Sequence, residues 1–202
     1  FLMELQKQSF MDVVLELARK YQLPIETLEG PQQERFQQEL SRRERLFRIL
    51  ALAKGWFRDQ LHSGPDSKAL EYLIKTRQLR KGVIDEFELG YAPNEWEALI
   101  NYMSQVEGVP AALLVEAGLA VPRKGKNGFY DRFRNRLVVP INDRQGRVIG
   151  FGGRSLDGSD PKYLNSPETE VFEKGKHLFG LDKAANSSRK ADIAVVVEGY
   201  FD

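Results

Sequence analysis

A change of hydrophobic period near residue 130 constrains this chain more than any other feature. Up to about residue 120, apolar residues return at helical spacing. Phe10, Val13, Val14, Leu17, Ala18 and Tyr21 form one such face, opened by a Ser9–Asp12 capping pair and ended by Pro24. Pro31 starts a long second helix over 31–62, whose stripe of Phe36, Leu40, Phe47, Leu50 and Leu61 runs until Gly64-Pro65 breaks it. Shorter helices are predicted over 66–76, 81–88, 95–106 and 110–117, with Tyr91-Ala92-Pro93 as punctuation. Beyond residue 130 the pattern is that of strands. Segments 136–141 and 147–153 are rich in β-branched residues and are joined by 142–146, a hairpin signature with Gly146 available for positive φ. Residues 182–188 suit a short helix, and 193–197 are continuously apolar, as in a strand buried on both faces of a parallel sheet. Helices first and strands second predict an α+β fold that opens into α/β at its end.

At 202 residues the chain is long enough to bury a core without staples, and with no cysteine it has no disulfide, thiolate nucleophile or Cys-ligated zinc. No apolar run approaches the length of a membrane span, which makes a cytoplasmic protein with no membrane partner the expectation. Phe1 at the start, and an end five residues past an apolar run, suggest a piece of a longer protein. The net charge of +1 hides an uneven distribution: residues 121–154 hold nine Lys and Arg against two Asp and Glu, while both flanks are acidic. Such a block is either the footprint of a polyanion partner or a surface whose charges are balanced by other segments.

Three segments can carry chemistry. Glu198 follows the apolar run 193–197, and Asp202 lies four residues on. Ligands of open α/β sheets bind at the carboxyl ends of strands, so these carboxylates either help to hold Mg²⁺ or act as a base, or they are a helix cap and a solvated acid. In Pro161-Lys-Tyr-Leu-Asn-Ser-Pro-Glu-Thr169, Lys162 offers charge for phosphate, Tyr163 a ring for base stacking and Asn165 an amide; the alternative is a surface loop with a half-buried tyrosine. In Tyr130-Asp-Arg-Phe-Arg-Asn-Arg136, strand alternation would set Arg132, Arg134 and Arg136 on one face and Phe133 on the other, with Arg154 lengthening the basic segment. Gly150-x-Gly152-Gly153 is weak as a phosphate loop, since no helical pattern follows it. His62 and His177 lie far apart and read as structural or surface residues.

Taken together, these motifs closely resemble bacterial DNA primases. The resemblance rests on Tyr130-Asp-Arg-Phe-Arg-Asn-Arg136, the Pro140–Arg154 run, Pro161-Lys-Tyr-Leu-Asn-Ser-Pro-Glu-Thr169, Phe172-x-Lys-Gly175, Leu178-x-Gly-Leu181 and Val197-Glu-Gly-Tyr-Phe-Asp202, in that order and spacing. It covers 66–202, including Arg77 and Gly90-Tyr-Ala-Pro93. It implies a template-dependent RNA polymerase that makes short RNA primers on single-stranded DNA from ribonucleoside triphosphates. The implied organisation is helices leading into the polymerase core over 1–64, a mixed α/β subdomain with a basic template ridge over 65–190, and the start of a Toprim domain over 191–202. By that likeness Glu198 is the catalytic glutamate and Asp202 its neighbour at a Mg²⁺ or Mn²⁺ centre. Lys162, Tyr163 and Asn165 fall on the template motif, and Arg77, Arg154 and Lys174 on basic positions that track template or nucleotide. Arg132, Arg134 and Arg136 join them through the charge pattern alone. The family's Zn²⁺ ribbon, its later Toprim acids and its domain for the replicative helicase have no counterpart in these residues, so the piece alone is expected to bind template without making primers. A single-strand-binding module, or another Toprim enzyme such as a topoisomerase or nuclease, is the rival reading.

Overall fold

The computed structural model describes residues 13–14, 17–18, 20–21, 31–63 and 68–200. Residues 13–14, 17–18 and 20 are helical, while Phe10, the Ser9–Asp12 cap, Pro24, Gly64-Pro65 and Asp202 lie outside the described residues. Helix α1 spans Pro31–Ser63. Helix α2, Lys68–Glu71, runs into a π-helical turn over Tyr72–Thr76. Then come α3 (Lys81–Glu86), strand β1 (Gly90–Ala92), α4 (Ala98–Gln105), α5 (Ala111–Glu116), β2 (Ala120–Pro122) and β3 (Phe129–Asp131). Strands β4 (Arg136–Asn142), β5 (Val148–Ser155) and β6 (Tyr163–Asn165) precede a 3₁₀ turn at Lys174–Lys176 and helix α6 (Leu181–Ala191). The α+β expectation holds.

The sheet order is β1-β4-β5-β6, antiparallel throughout, with β2-β3 as a separate ribbon. The β4-β5 hairpin is the one the sequence predicts. Asp143 closes its turn by accepting from the amides of Gln145 and Arg147, each at 2.9 Å. Strand β4 is buried on both faces: Val138 and Ile141 join one core, Leu137 and Val139 the other. Pro140 fits in so central a strand because β1 pairs only as far as Val138, so no neighbour on that side asks for its missing N–H.

One core forms under α1, where Leu46, Ile49, Leu50, Ala53 and Phe57 recur at three- and four-residue spacing. The Phe57 ring stands edge-on to Phe151 at 5.4 Å and to Phe133 at 6.3 Å. Strand β1 lies so close beneath that a Cβ on Gly90 would sit 2.6 Å from that of Phe57. The opposite face of the sheet is covered by Leu73 and Ala69 of α2 and its π turn, and by Ile84 of α3. Helix α1 therefore shares a core with the sheet. The result is a sheet with two covered faces and an edge, β6, where the Lys162–Asn165 segment lies.

One element departs from the sequence reading. Residues 193–197 are not a strand; Val195 and Val196 are 83% and 79% exposed. An apolar strand is buried only by partners on either side, and none of the described residues pairs with this segment.

Candidate nucleic-acid interface

Strand β6 pairs with β5 so that Arg154 faces Tyr163, Gly153 faces Leu164 and Gly152 faces Asn165. This register gathers cations around aromatic rings. Arg154 Nε donates to the Tyr72 hydroxyl at 2.9 Å, and its Nη1 donates to the Tyr163 hydroxyl. Its guanidinium carbon lies 5.1 Å from the Tyr163 ring centre. Tyr72 comes from the π turn, whose next residue, Arg77, lies 6.0 Å from the same Tyr72 ring. Lys162 Nζ stands 6.0 Å from the Tyr163 ring. Arg77, Arg154, Lys162 and Tyr163, far apart in sequence, thus share one surface patch, and Tyr72 is the member that sequence reasoning missed.

Arg132, Arg134 and Arg136 do not lie on one face of a strand. Strand β4 begins only at Arg136, and Asn135 before it has φ +49°, which breaks the alternation. Their roles differ accordingly. Arg132 donates through Nε (3.2 Å) and Nη2 (2.9 Å) to the Asn165 carbonyl, and the buried Arg136 donates through Nη1 at 2.7 Å to the Pro161 carbonyl. Burial lowers the pKa of both guanidiniums. These two arginines hold the Pro161–Asn165 segment in place. Arg134 instead lies over aromatic rings, 4.4 Å from Trp96 and 5.0 Å from Tyr130. Arg123 approaches the same rings at 5.5 and 5.7 Å and is paired with Glu97 at 2.7 Å. Trp96 is 58% exposed. A cavity of about 460 Å³ unites Trp96, Tyr130, Arg132, Arg134, Arg136 and Pro161, so the three arginines meet in space although not by strand alternation.

The Trp96 platform is held from within by Asp131. Its carboxylate accepts from the amides of Leu99 (2.7 Å) and Ile100 (3.0 Å) in the first turn of α4, and its own amide donates to the Trp96 carbonyl at 2.7 Å. Burial pushes the Asp131 carboxyl up to about 6, against the opposing pull of those two amides. Lining the same cavity as Trp96, Asp157 accepts from Ser155, Ser159 and Asn135, and these hydrogen bonds, Ser159's foremost, hold its carboxyl well below the usual range. It orders the turn that leads from β5 towards Pro161.

The far end of β6 meets the chain's last described residues. Asn165, Lys174 and the exposed Glu198 line a cavity of about 410 Å³ with Ile141 and Phe172. Lys174 is exposed on the 3₁₀ turn, and its amide donates to Glu168 at 3.2 Å. The Tyr200 hydroxyl donates to Asn165 Oδ1 at 3.0 Å. A metal centre does not assemble from these residues: no group of three or more His, Cys, Asp or Glu among the described residues is placed to hold an ion. Glu198 alone falls well short of the roughly six oxygens that Mg²⁺ takes. Among the described residues no helix is long and apolar enough to cross a membrane. The glycines at 150, 152 and 153 lie inside β5 and form no phosphate loop.

Comparison with known proteins places this geometry. A family model described as the DNA primase catalytic core, N-terminal domain, matches residues 56–185. A DNA primase of Synechococcus elongatus is 55% identical over 202 residues, all of this chain but 29% of the relative. A crystal structure of a DNA primase domain from Pseudomonas aeruginosa superposes with a TM-score of 0.70 at 41% identity, covering 77% of this chain and 48% of that one. The structure of a DnaG primase catalytic domain bound to single-stranded DNA gives 0.66 at 38% identity, over 74% of this chain and 46% of that one. The chain thus spans under a third of that Synechococcus relative. With more than half of its length matched by one family model, and with its fold shared by these cores, the chain belongs to the family of the DNA primase catalytic core, N-terminal domain.

Proposed function

We propose that this sequence is the template-binding part of a DNA primase, an enzyme that makes RNA primers on single-stranded DNA. The observation that carries the reading is the pair of cation-and-ring clusters, Trp96/Tyr130/Arg134 and Tyr72/Arg154/Tyr163, joined by the Pro161–Asn165 segment. Single-stranded nucleic acid is held by this combination: rings and guanidinium planes stack with bases, and cations follow the phosphates. Arg77, Arg154 and Lys162 take phosphate oxygens. Trp96, Tyr130 and Tyr163 offer stacking surface, while Arg132 and Arg136 keep the strand between them straight. The relative bound to single-stranded DNA supports the same assignment.

Catalysis is proposed for the full-length primase. There the segment 191–202 opens the Toprim domain, Glu198 and Asp202 contribute to a Mg²⁺ or Mn²⁺ centre, ribonucleoside triphosphates are the substrates, and a zinc ribbon and a helicase-docking domain complete the protein. The 202 residues alone bind template without extending a primer, because the two carboxylates assigned to the metal centre, Glu198 and Asp202, fall short of the roughly six oxygens that Mg²⁺ takes. Primer extension by the purified chain with template, nucleotides and Mn²⁺ would overturn that.

The template assignment is tested by titrating a fluorescent single-stranded oligonucleotide with the chain at several salt concentrations, after a melting curve. Binding that weakens steeply with salt, and weakens further in Trp96→Ala, is the expected result. A folded chain that ignores the oligonucleotide would sink the reading.

A further inference from the structure

One of the three cross-strand pairs of the β5-β6 edge is built around a side chain from outside the sheet. Gly152 and Asn165 are partners in the ladder. A Cβ on Gly152 would stand 2.6 Å from the Tyr200 ring, so the ring occupies the space that any other residue would fill. On the neighbouring strand, the Asn165 amide catches the Tyr200 hydroxyl at 3.0 Å. Phe179 stands edge-on to the ring at 5.1 Å and completes the socket.

What this socket joins is informative. Residues 193–197 run exposed, so Tyr200 is where that segment meets the sheet, two residues after Glu198. Asn165 closes the Lys162–Asn165 template segment, and its carbonyl is already held by both nitrogens of Arg132. Both acceptor oxygens of Asn165 are therefore engaged inside the protein. Its side-chain oxygen is turned to Tyr200, two residues past Glu198.

We propose that Tyr200, seated over Gly152 and hydrogen-bonded to Asn165, is a positioning latch that sets the Glu198 carboxylate at a fixed place relative to the template strand. The proposal rests on the primase reading above and reassigns Asn165 from template contact to positioning. Removing the hydroxyl frees the segment by the worth of one buried hydrogen bond and leaves the cations and rings of the template patch in place.

The test uses the full-length primase. Tyr200→Phe keeps the ring and lowers kcat for primer synthesis by about tenfold, with KM for nucleotide and the dissociation constant for single-stranded template each within about twofold of wild type. Asn165→Ala, which keeps the Arg132 contact, gives the same split, and the double variant is no worse than either single one. Gly152→Ala displaces the ring and gives a larger loss of kcat. In the 202-residue chain, hydrogen exchange at the 198–200 amides rises in Tyr200→Phe while melting stays close to wild type. An unchanged kcat and unchanged exchange in Tyr200→Phe would overturn the latch. So would a loss of template affinity in Asn165→Ala that Tyr200→Phe does not share, since Asn165 would then read template directly. Failure of the wild-type full-length chain to prime would instead strike the primase reading, so the two failures are distinct.

Discussion

Two pairs of arginines from the same basic block are used in opposite ways. Arg132 and Arg136 direct their N–H groups at main-chain carbonyls of Asn165 and Pro161, and both are partly or fully withdrawn from water. Arg134 and Arg154 lie over aromatic rings at the surface, between Trp96 and Tyr130 and between Tyr72 and Tyr163. A charge count sees four equal cations. The difference lies in what each guanidinium holds: Arg132 and Arg136 spend their N–H groups on carbonyls of the Pro161–Asn165 segment, whereas Arg134, which donates to the nearby Asp131 carbonyl, and Arg154, which donates to two tyrosine hydroxyls, are stacked on rings and keep an edge for a polyanion. The comparison predicts that the first pair governs folding and the second pair governs affinity.

The largest effect should come from Arg136→Ala. It strands the Pro161 carbonyl and removes a packed side chain, at a cost of about 2–3 kcal/mol, or roughly 5–10 °C in Tm for a chain of this size. Arg134→Ala should move Tm little and weaken oligonucleotide binding. Thermal melts of the two variants beside binding curves decide the matter; equal melting losses would erase the distinction.

Next in size is a pH effect on the Trp96 platform. Asp131 has its carboxyl pushed up to about 6 by burial, above the roughly 3.9 of an unfolded chain. The folded state therefore holds a proton between those values that the unfolded state lacks. Stability from this group rises as pH falls from 6 towards 4, by up to about 3 kcal/mol, and is flat above 6. The groups that face it are the amides of Leu99 and Ile100, with Arg134 and Glu97 near by. Asp131→Asn should abolish this slope, and urea unfolding of both proteins at pH 4.5, 5.5 and 7 would read it. A slope that persists in the variant assigns the dependence elsewhere.

How much of this was legible beforehand follows from the range of each interaction. Helix α1 was readable because Leu46, Ile49, Leu50, Ala53 and Phe57 repeat locally. The β4-β5 hairpin was readable because its turn lies between its strands. Strand β1 reads as punctuation in the sequence, since three residues are too short to show a period. Trp96 was missed because its partners Tyr130 and Arg134 come more than thirty residues later and meet it through Asp131. The arginine triplet departs from its sequence pattern because alternation assumes a strand, and the positive φ of Asn135 interrupts it. The apolar run 193–197 looks buried by composition, yet burial belongs to partners that no described residue provides.

The smallest effects separate ring from charge within the surface pair of clusters. Trp96 is exposed and stacked with guanidiniums, so Trp96→Ala should cost about 1–3 kcal/mol of oligonucleotide affinity through lost stacking, with almost the same salt slope. Lys162 lies beside Tyr163 and carries charge without a carboxylate partner among the described ion pairs. Lys162→Ala should flatten the dependence of log K on log salt by about 0.7, the loss of one phosphate contact on a single strand. Its affinity loss should then shrink as salt rises, whereas that of Trp96→Ala should persist at every salt concentration. If the two variants lost affinity in parallel across the salt series, stacking and phosphate contact would not be divided between these clusters, and the track would be one electrostatic surface on which the rings serve only to hold the arginines.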